Sequence, residues 1–122
     1  ASPKLLKENP AAAKAFLAAF AKGAKEVMAN PDAAIDYVKA RDGIINVDLE
    51  KRRLRLAIDA VVASPDARTE GFGQIVPGRM ALMASQVSDA FGTKTRVDPA
   101  AVWTDSALPS KADLNILPPV RK

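Results

Sequence analysis

Five times in this chain a helix-capping side chain stands directly before a proline: Ser2-Pro3, Asn9-Pro10, Asn30-Pro31, Ser64-Pro65 and Asp98-Pro99. Ser, Asn and Asp can each accept a hydrogen bond from the free N–H groups of a first helical turn. Proline at the next position gives up a donor the helix would not have used. Period-2 alternation is almost absent, and Ile44-Ile45-Asn46-Val47 is the one β-like run. Together these features predict an all-α chain. The near-duplicates Asn9-Pro10-Ala11-Ala12 and Asn30-Pro31-Asp32-Ala33 read as one cap used twice, not as the period of a solenoid.

Between the caps, apolar residues recur at helical spacing and predict four main helices, over residues 10–29, 31–40, 48–63 and 77–91. A short helical turn over Pro3–Glu8 comes first. In the first main helix Ala13, Leu17, Phe20, Ala24 and Met28 form the stripe, widened by Phe16 and Val27. Gly23 within it costs about 1 kcal/mol relative to alanine, and close packing of a neighbouring backbone would explain it. Ala34, Ile35 and Val38 form the face of the second, with Tyr37 at its edge and Gly43 as its stop. Leu54, Ala57, Ile58, Val61 and Val62 are the expected buried side of the third, which Ser64-Pro65-Asp66 ends. Met80, Met83, Ala84, Val87 and Phe91 share a face of the fourth, and Gly92 closes it. Residues 66–76 read as the least regular part. The segment 93–122 reads as an irregular, proline-punctuated tail with one helical turn at Pro99–Val102. Its Leu108-Pro109 and Leu117-Pro118-Pro119 suit an extended chain laid against something else.

The chain has 122 residues with neither cysteine nor histidine. That excludes disulfides, thiol chemistry and histidine bases, and it leaves structural zinc without its usual ligands. Apolar stretches are alanine-rich and broken by lysines, so no membrane span is expected. The opening Ala1-Ser2-Pro3-Lys4 has no apolar signal segment, as expected of a mature exported protein or of a fragment. The net charge of +4 is mildly basic.

Four groups invite a chemical role. Lys51-Arg52-Arg53-Leu54-Arg55 places four cations in five residues, a possible phosphate contact. Glu50 and Asp59 flank the run and no aromatic interleaves it, so a solvated rim is expected and no nucleic-acid binding. Gly71-Phe72-Gly73 could cradle an anion or cover a cleft edge, but it lacks the phosphate-loop pattern and reads first as a turn with an anchoring Phe72. Trp103, the one tryptophan, would pin the tail or stack on a ligand. Asp32 and Asp36 stand at i and i+4, yet Asp32 is better placed to stabilise the positive end of a helix. No catalytic residue, metal site or cofactor is expected.

The order Glu8-Asn9-Pro10, Phe16, Gly23, Asn30-Pro31-Asp32-Ala33-Ala34, Gly71-Phe72-Gly73, Arg79, Ala90-Phe91-Gly92, Val97-Asp98-Pro99, Val102-Trp103-Thr104 and Leu108-Pro109 resembles a known family. It is similar to the C-terminal part of periplasmic substrate-binding proteins of ABC importers. The group is the one for nitrate, sulfonates, taurine and thiamine-precursor pyrimidines, related to the fungal pyrimidine synthase of thiamine biosynthesis. The resemblance implies a helical fragment of a two-lobed α/β protein, exported to the periplasm, that binds a small solute and docks on a permease. The lobes and most cleft-lining loops would precede Ala1. Gly71, Phe72, Gly73 and Trp103 are left as ligand-site candidates at a cleft edge. The synthase's catalytic histidine and cysteines have no counterpart, so no enzyme is implied. The alternative is a free-standing helical interaction module whose basic helix meets an acidic partner. As a fragment, the chain would expose helix faces that pack on the missing lobe, which predicts a homodimer or larger assembly when isolated, with the tail after Gly92 a candidate for exchange between copies; a strict monomer would favour the interaction module.

Overall fold

The computed structural model describes residues 1–119, and among them there are helices and no strand. The elements are α1 (Pro3–Glu8), α2 (Pro10–Ala29), α3 (Pro31–Arg41), α4 (Val47–Ala57), α5 (Pro65–Thr69), α6 (Pro77–Ala90), α7 (Pro99–Val102) and α8 (Lys111–Leu114). Of these, α2, α3, α4 and α6 are the four main helices. Residues 120–122, which end the expected tail, lie outside the described residues.

Each of the five cap–proline pairs opens a helix. The side chains of Ser2, Asn9, Asn30, Ser64 and Asp98 accept from the backbone N–H of Leu5, Ala12, Ala33, Ala67 and Ala100, at 3.2, 3.1, 3.3, 3.2 and 2.9 Å. Asn46 and Ser110 do the same for α4 and α8 without a proline. Ser64-Pro65-Asp66 therefore starts α5 as well as ending the helix before it. At the far end of α6, Gly92 adopts φ +56. The amide of Thr93 then reaches the carbonyl of Ser88, and that of Gly92 reaches Asp89, which closes the helix on two of its free carbonyls.

The third predicted helix is continuous only as far as Ala57. Residues Ile58–Val62 widen into a π-helical turn, and the Ala63 amide bonds back to the Ile58 carbonyl at 2.7 Å. Gly23 is the one glycine whose expected explanation fails: a methyl group there would meet nothing within 4 Å.

The predicted apolar stripes are real, but each is wider than the surface that covers it. On α2, Ala13 and Ala21 are buried and Leu17, Ala24 and Met28 half-buried, whereas Phe16 and Phe20 are 69% and 55% exposed. Along α4 and its π turn, Leu54, Ile58 and Val62 are half-buried, but Ala57 and Val61 face solvent. On α3, Ile35 is buried and Val38 exposed. On α6, Ala84 and Ser88 are buried below a half-buried Met80, while Met83, Val87 and Phe91 stand out. In α2, α4 and α6 one i, i+4 row is covered and its neighbour, about 100° round the helix, is not.

The tail supplies what the stripes lack. Ala107, Leu114, Ile116 and Leu117 are all buried, and Leu114 and Ile116 are only 3% exposed. The described part of the tail, residues 93–119, is therefore packed against the rest of the chain. Ser88 Oγ accepts from the Val97 amide at 3.1 Å and fixes the tail's start to α6. Arg96 donates to Ser85 Oγ at 2.7 Å beside it. At the tail's end, Arg68 donates to the Pro118 carbonyl at 3.3 Å.

The whole surface is large for the mass. A compact 12.9 kDa monomer exposes about 6,300 Å² by the usual scaling, and this chain exposes 9246 Å².

Candidate functional site

The centre of the molecule is the junction between the Gly71–Gln74 loop and α8. The Phe72 amide donates to the Leu114 carbonyl at 2.9 Å, and the Gln74 amide to the Gly71 carbonyl at 3.3 Å. Gly71 has φ +103, and a Cβ built there would stand 2.9 Å from Leu114 Cβ. Only glycine meets both the left-handed backbone and the close approach of the leucine. Gly73 also has positive φ, at +86, so the pair of glycines turns the loop around Phe72.

That turn aims Phe72 at α2. Its ring stacks on Phe20 with centroids 6.3 Å apart, and Phe20 stacks on Phe16 at 6.4 Å. The three rings form a ladder along one wall of an apolar groove of about 900 Å³. Leu5 and Leu6 of α1, Val102 and Trp103 at the end of α7, and Leu108 and Leu114 of the tail also line it. Among the described residues no acidic, basic or metal-ligating side chain lines this groove, and its polar side-chain groups are the Thr104 hydroxyl and the Trp103 indole N–H. It offers mainly aromatic and aliphatic contact.

Of the four candidate residues, Phe72 and Gly73 meet Trp103, distant from them in sequence, in this groove. Gly71 does not line it. It lies beneath Leu114 and faces a smaller hollow of about 230 Å³, which it shares with Val61 and Met83. The roles of Phe72 as anchor and of Trp103 as tail pin agree with their half-buried state. Phe16 and Phe20 are the residues that sequence reasoning assigned to the core. Their signal was the i, i+4 spacing itself, which says that two rings share a face but not whether the face is covered.

The remaining candidates are accounted for within the chain. Arg55 makes a two-pronged pair with Asp32, at 3.1 and 2.7 Å, which ties α4 to the start of α3. Arg53 pairs with Glu50 at 2.8 Å one turn back. Two of the four cations in the basic run are thus engaged by carboxylates on the same molecule. Asp36 and Tyr37 are exposed. Among the described residues no three acidic side chains gather as a metal site, and no helix is long and apolar enough to cross a membrane.

A family model described as NMT1/THI5 like matches residues 1–34, which comprise α1, α2 and the first turn of α3. No curated protein and no solved structure matches the chain.

Proposed function

We propose that this chain is a helical part of the solute-binding component of an ABC importer, working in the periplasm and without catalytic activity. The observation that carries the reading is the match of residues 1–34 to the NMT1/THI5 like family. It falls on the segment that carries Phe16 and Phe20, two of the three stacked rings. A groove lined almost wholly by aliphatic and aromatic side chains supports a binding role. In the whole binding protein, two α/β lobes would close around a small organic solute and then dock on the permease. Phe72, Gly73 and Trp103 would stand at the cleft edge, and part of the uncovered helix rows would lie against a lobe. No nucleic acid takes part in this scheme, since Arg53 and Arg55 are already paired.

The test is to find the native polypeptide. An antibody against this chain, used on osmotic-shock fluid and cytosol of the source cells, should detect a protein well above 12.9 kDa in the shock fluid. A 12.9 kDa species confined to the cytosol would overturn the reading. The chain alone supplies one edge of a cleft, so calorimetric titration with nitrate, sulfonates or pyrimidines should give no heat of binding. A micromolar interaction lost in Trp103→Ala would mean that the chain carries a complete ligand site instead.

A further inference from the structure

Asp48, Lys51, Arg52 and Arg55 stand at i, i+3, i+4 and i+7, so they share one face of α4. Between that face and the first turn of α3 lies a hollow of about 450 Å³, lined by these four residues and Asp32. It has no residue in common with the apolar groove.

The five side chains are not equivalent. Arg55 donates from Nε and Nη2 to the two oxygens of Asp32, at 3.1 and 2.7 Å. This fixes the plane of the guanidinium and leaves its Nη1 without a partner among the described residues. It also commits both oxygens of Asp32, so Asp48 is the one carboxylate of the hollow still unengaged. Lys51 and Arg52 make no ion pair and no side-chain hydrogen bond among the described residues. Yet Asp48 stands three and four residues before them, the spacing at which helical ion pairs form. Lys51 is moreover half-buried. An ammonium partly withdrawn from water without a counter-ion is unfavourable, and a bound anion relieves it.

Charge and geometry select the ligand. Three cations against two carboxylates leave the hollow net positive, which attracts an anion and repels a metal ion. A planar carboxylate presents its two oxygens to one guanidinium fork. A tetrahedral oxyanion presents oxygens in several directions and can accept from two guanidinium groups and an ammonium together. No aromatic ring lines the hollow to stack a base. Arg53 lies outside it and is neutralised by Glu50 at 2.8 Å, so no positive track continues along α4 for a nucleic-acid strand.

We propose that the hollow between α3 and α4 binds a single phosphate group, held by Lys51, Arg52 and the free side of Arg55, with Asp32 orienting Arg55. The site needs neither a transport role nor the apolar groove. Its failure is therefore distinct from that of the transport reading, which the native polypeptide decides.

The probe is inorganic phosphate, titrated into the isotope-labelled 122-residue chain with ionic strength held constant by sodium chloride. Amide NMR shifts should saturate at about millimolar phosphate, the affinity that two or three charge-assisted hydrogen bonds at an open surface support. They should be confined to α4 and the first turn of α3. Arg52→Gln, at an exposed position, should keep the helical CD spectrum and raise the midpoint about fivefold. Asp48→Asn removes the unengaged opposing charge, so it should lower the midpoint by a similar factor. Equal midpoints for inorganic phosphate and glycerol phosphate would support free phosphate as the ligand, and a lower one for the ester would support a phosphate ester. Shifts that never saturate, or that are as large at Lys14, Lys22 and Lys25 of α2, would mean a diffuse ion atmosphere and would overturn the proposal. A midpoint unchanged in both variants would overturn it too, as would weaker binding in Asp48→Asn.

Discussion

Helix α2 and the segment from Ala107 to Leu117 are opposites. The first is 20 residues of unbroken helix with a proline start and a side-chain cap, and only Ala13 and Ala21 of it are buried. The second holds one four-residue helix among turns, and Ala107, Leu114, Ile116 and Leu117 are buried. Regularity and burial are separate properties. A helix satisfies its own backbone hydrogen bonds and can stand with most of its surface in water. An irregular segment gains little from local structure, so it is held in place by what it buries.

This contrast predicts where substitutions matter. The largest effect should come from Leu114→Ala, which removes the side chain that closes the Gly71 loop against α8. Truncating a buried leucine costs about 2–5 kcal/mol. Urea unfolding should show the midpoint fall accordingly, and a loss under 1 kcal/mol would place the core elsewhere. Gly71→Ala comes next. It forces a methyl group against Leu114 and holds alanine at φ +103, a strain of about 1–3 kcal/mol. The clash is with the Leu114 Cβ, which alanine keeps, so adding Leu114→Ala should recover none of the Gly71→Ala loss.

On the regular side of the comparison the effects should be smaller. Asn9→Ala removes the acceptor for the Ala12 amide and should cost about 1 kcal/mol. The loss would appear as reduced helicity of α2 in amide hydrogen exchange, with the tail's protection unchanged. Exchange that rises equally in both regions would mean that they unfold as one unit. Gly23→Ala should have the opposite sign. The position is helical and open, so alanine should stabilise by about 0.5–1 kcal/mol. A destabilised variant would show that something does pack on Gly23.

Most of the helical framework was legible in the sequence, because cap and proline act within four residues. The four main helices lie within one residue of their expected starts, and Pro99–Val102 is the short helix it was read to be. The short helices α5 and α8 were missed. Yet α8 carried a readable signal: Ser110 caps the Asp113 amide at 3.3 Å, and Asp113 receives the Ser110 hydroxyl proton at 2.6 Å. The π turn at Ile58–Val62 had no such signal, since Leu54, Ile58 and Val62 satisfy ordinary helical spacing equally well. Of the groove, Phe72 is legible from its place between Gly71 and Gly73, and Trp103 as the one tryptophan in a proline-flanked segment. That they share a wall with Phe16 and Phe20 was not readable, because nothing local relates residue 72 to residue 20.

What the sequence by itself determined is where helices begin, where they stop, and which positions on each are apolar. Those are decided by hydrogen bonds and side chains a few residues apart, and their energies are the same wherever the helix ends up. Tertiary structure alone decided which row of each stripe is covered. Covering a row requires a second surface brought from far along the chain. Here Ala13, Ala21, Ala84 and Ser88 are covered, and Phe16, Val61 and Phe91 on the neighbouring rows are not.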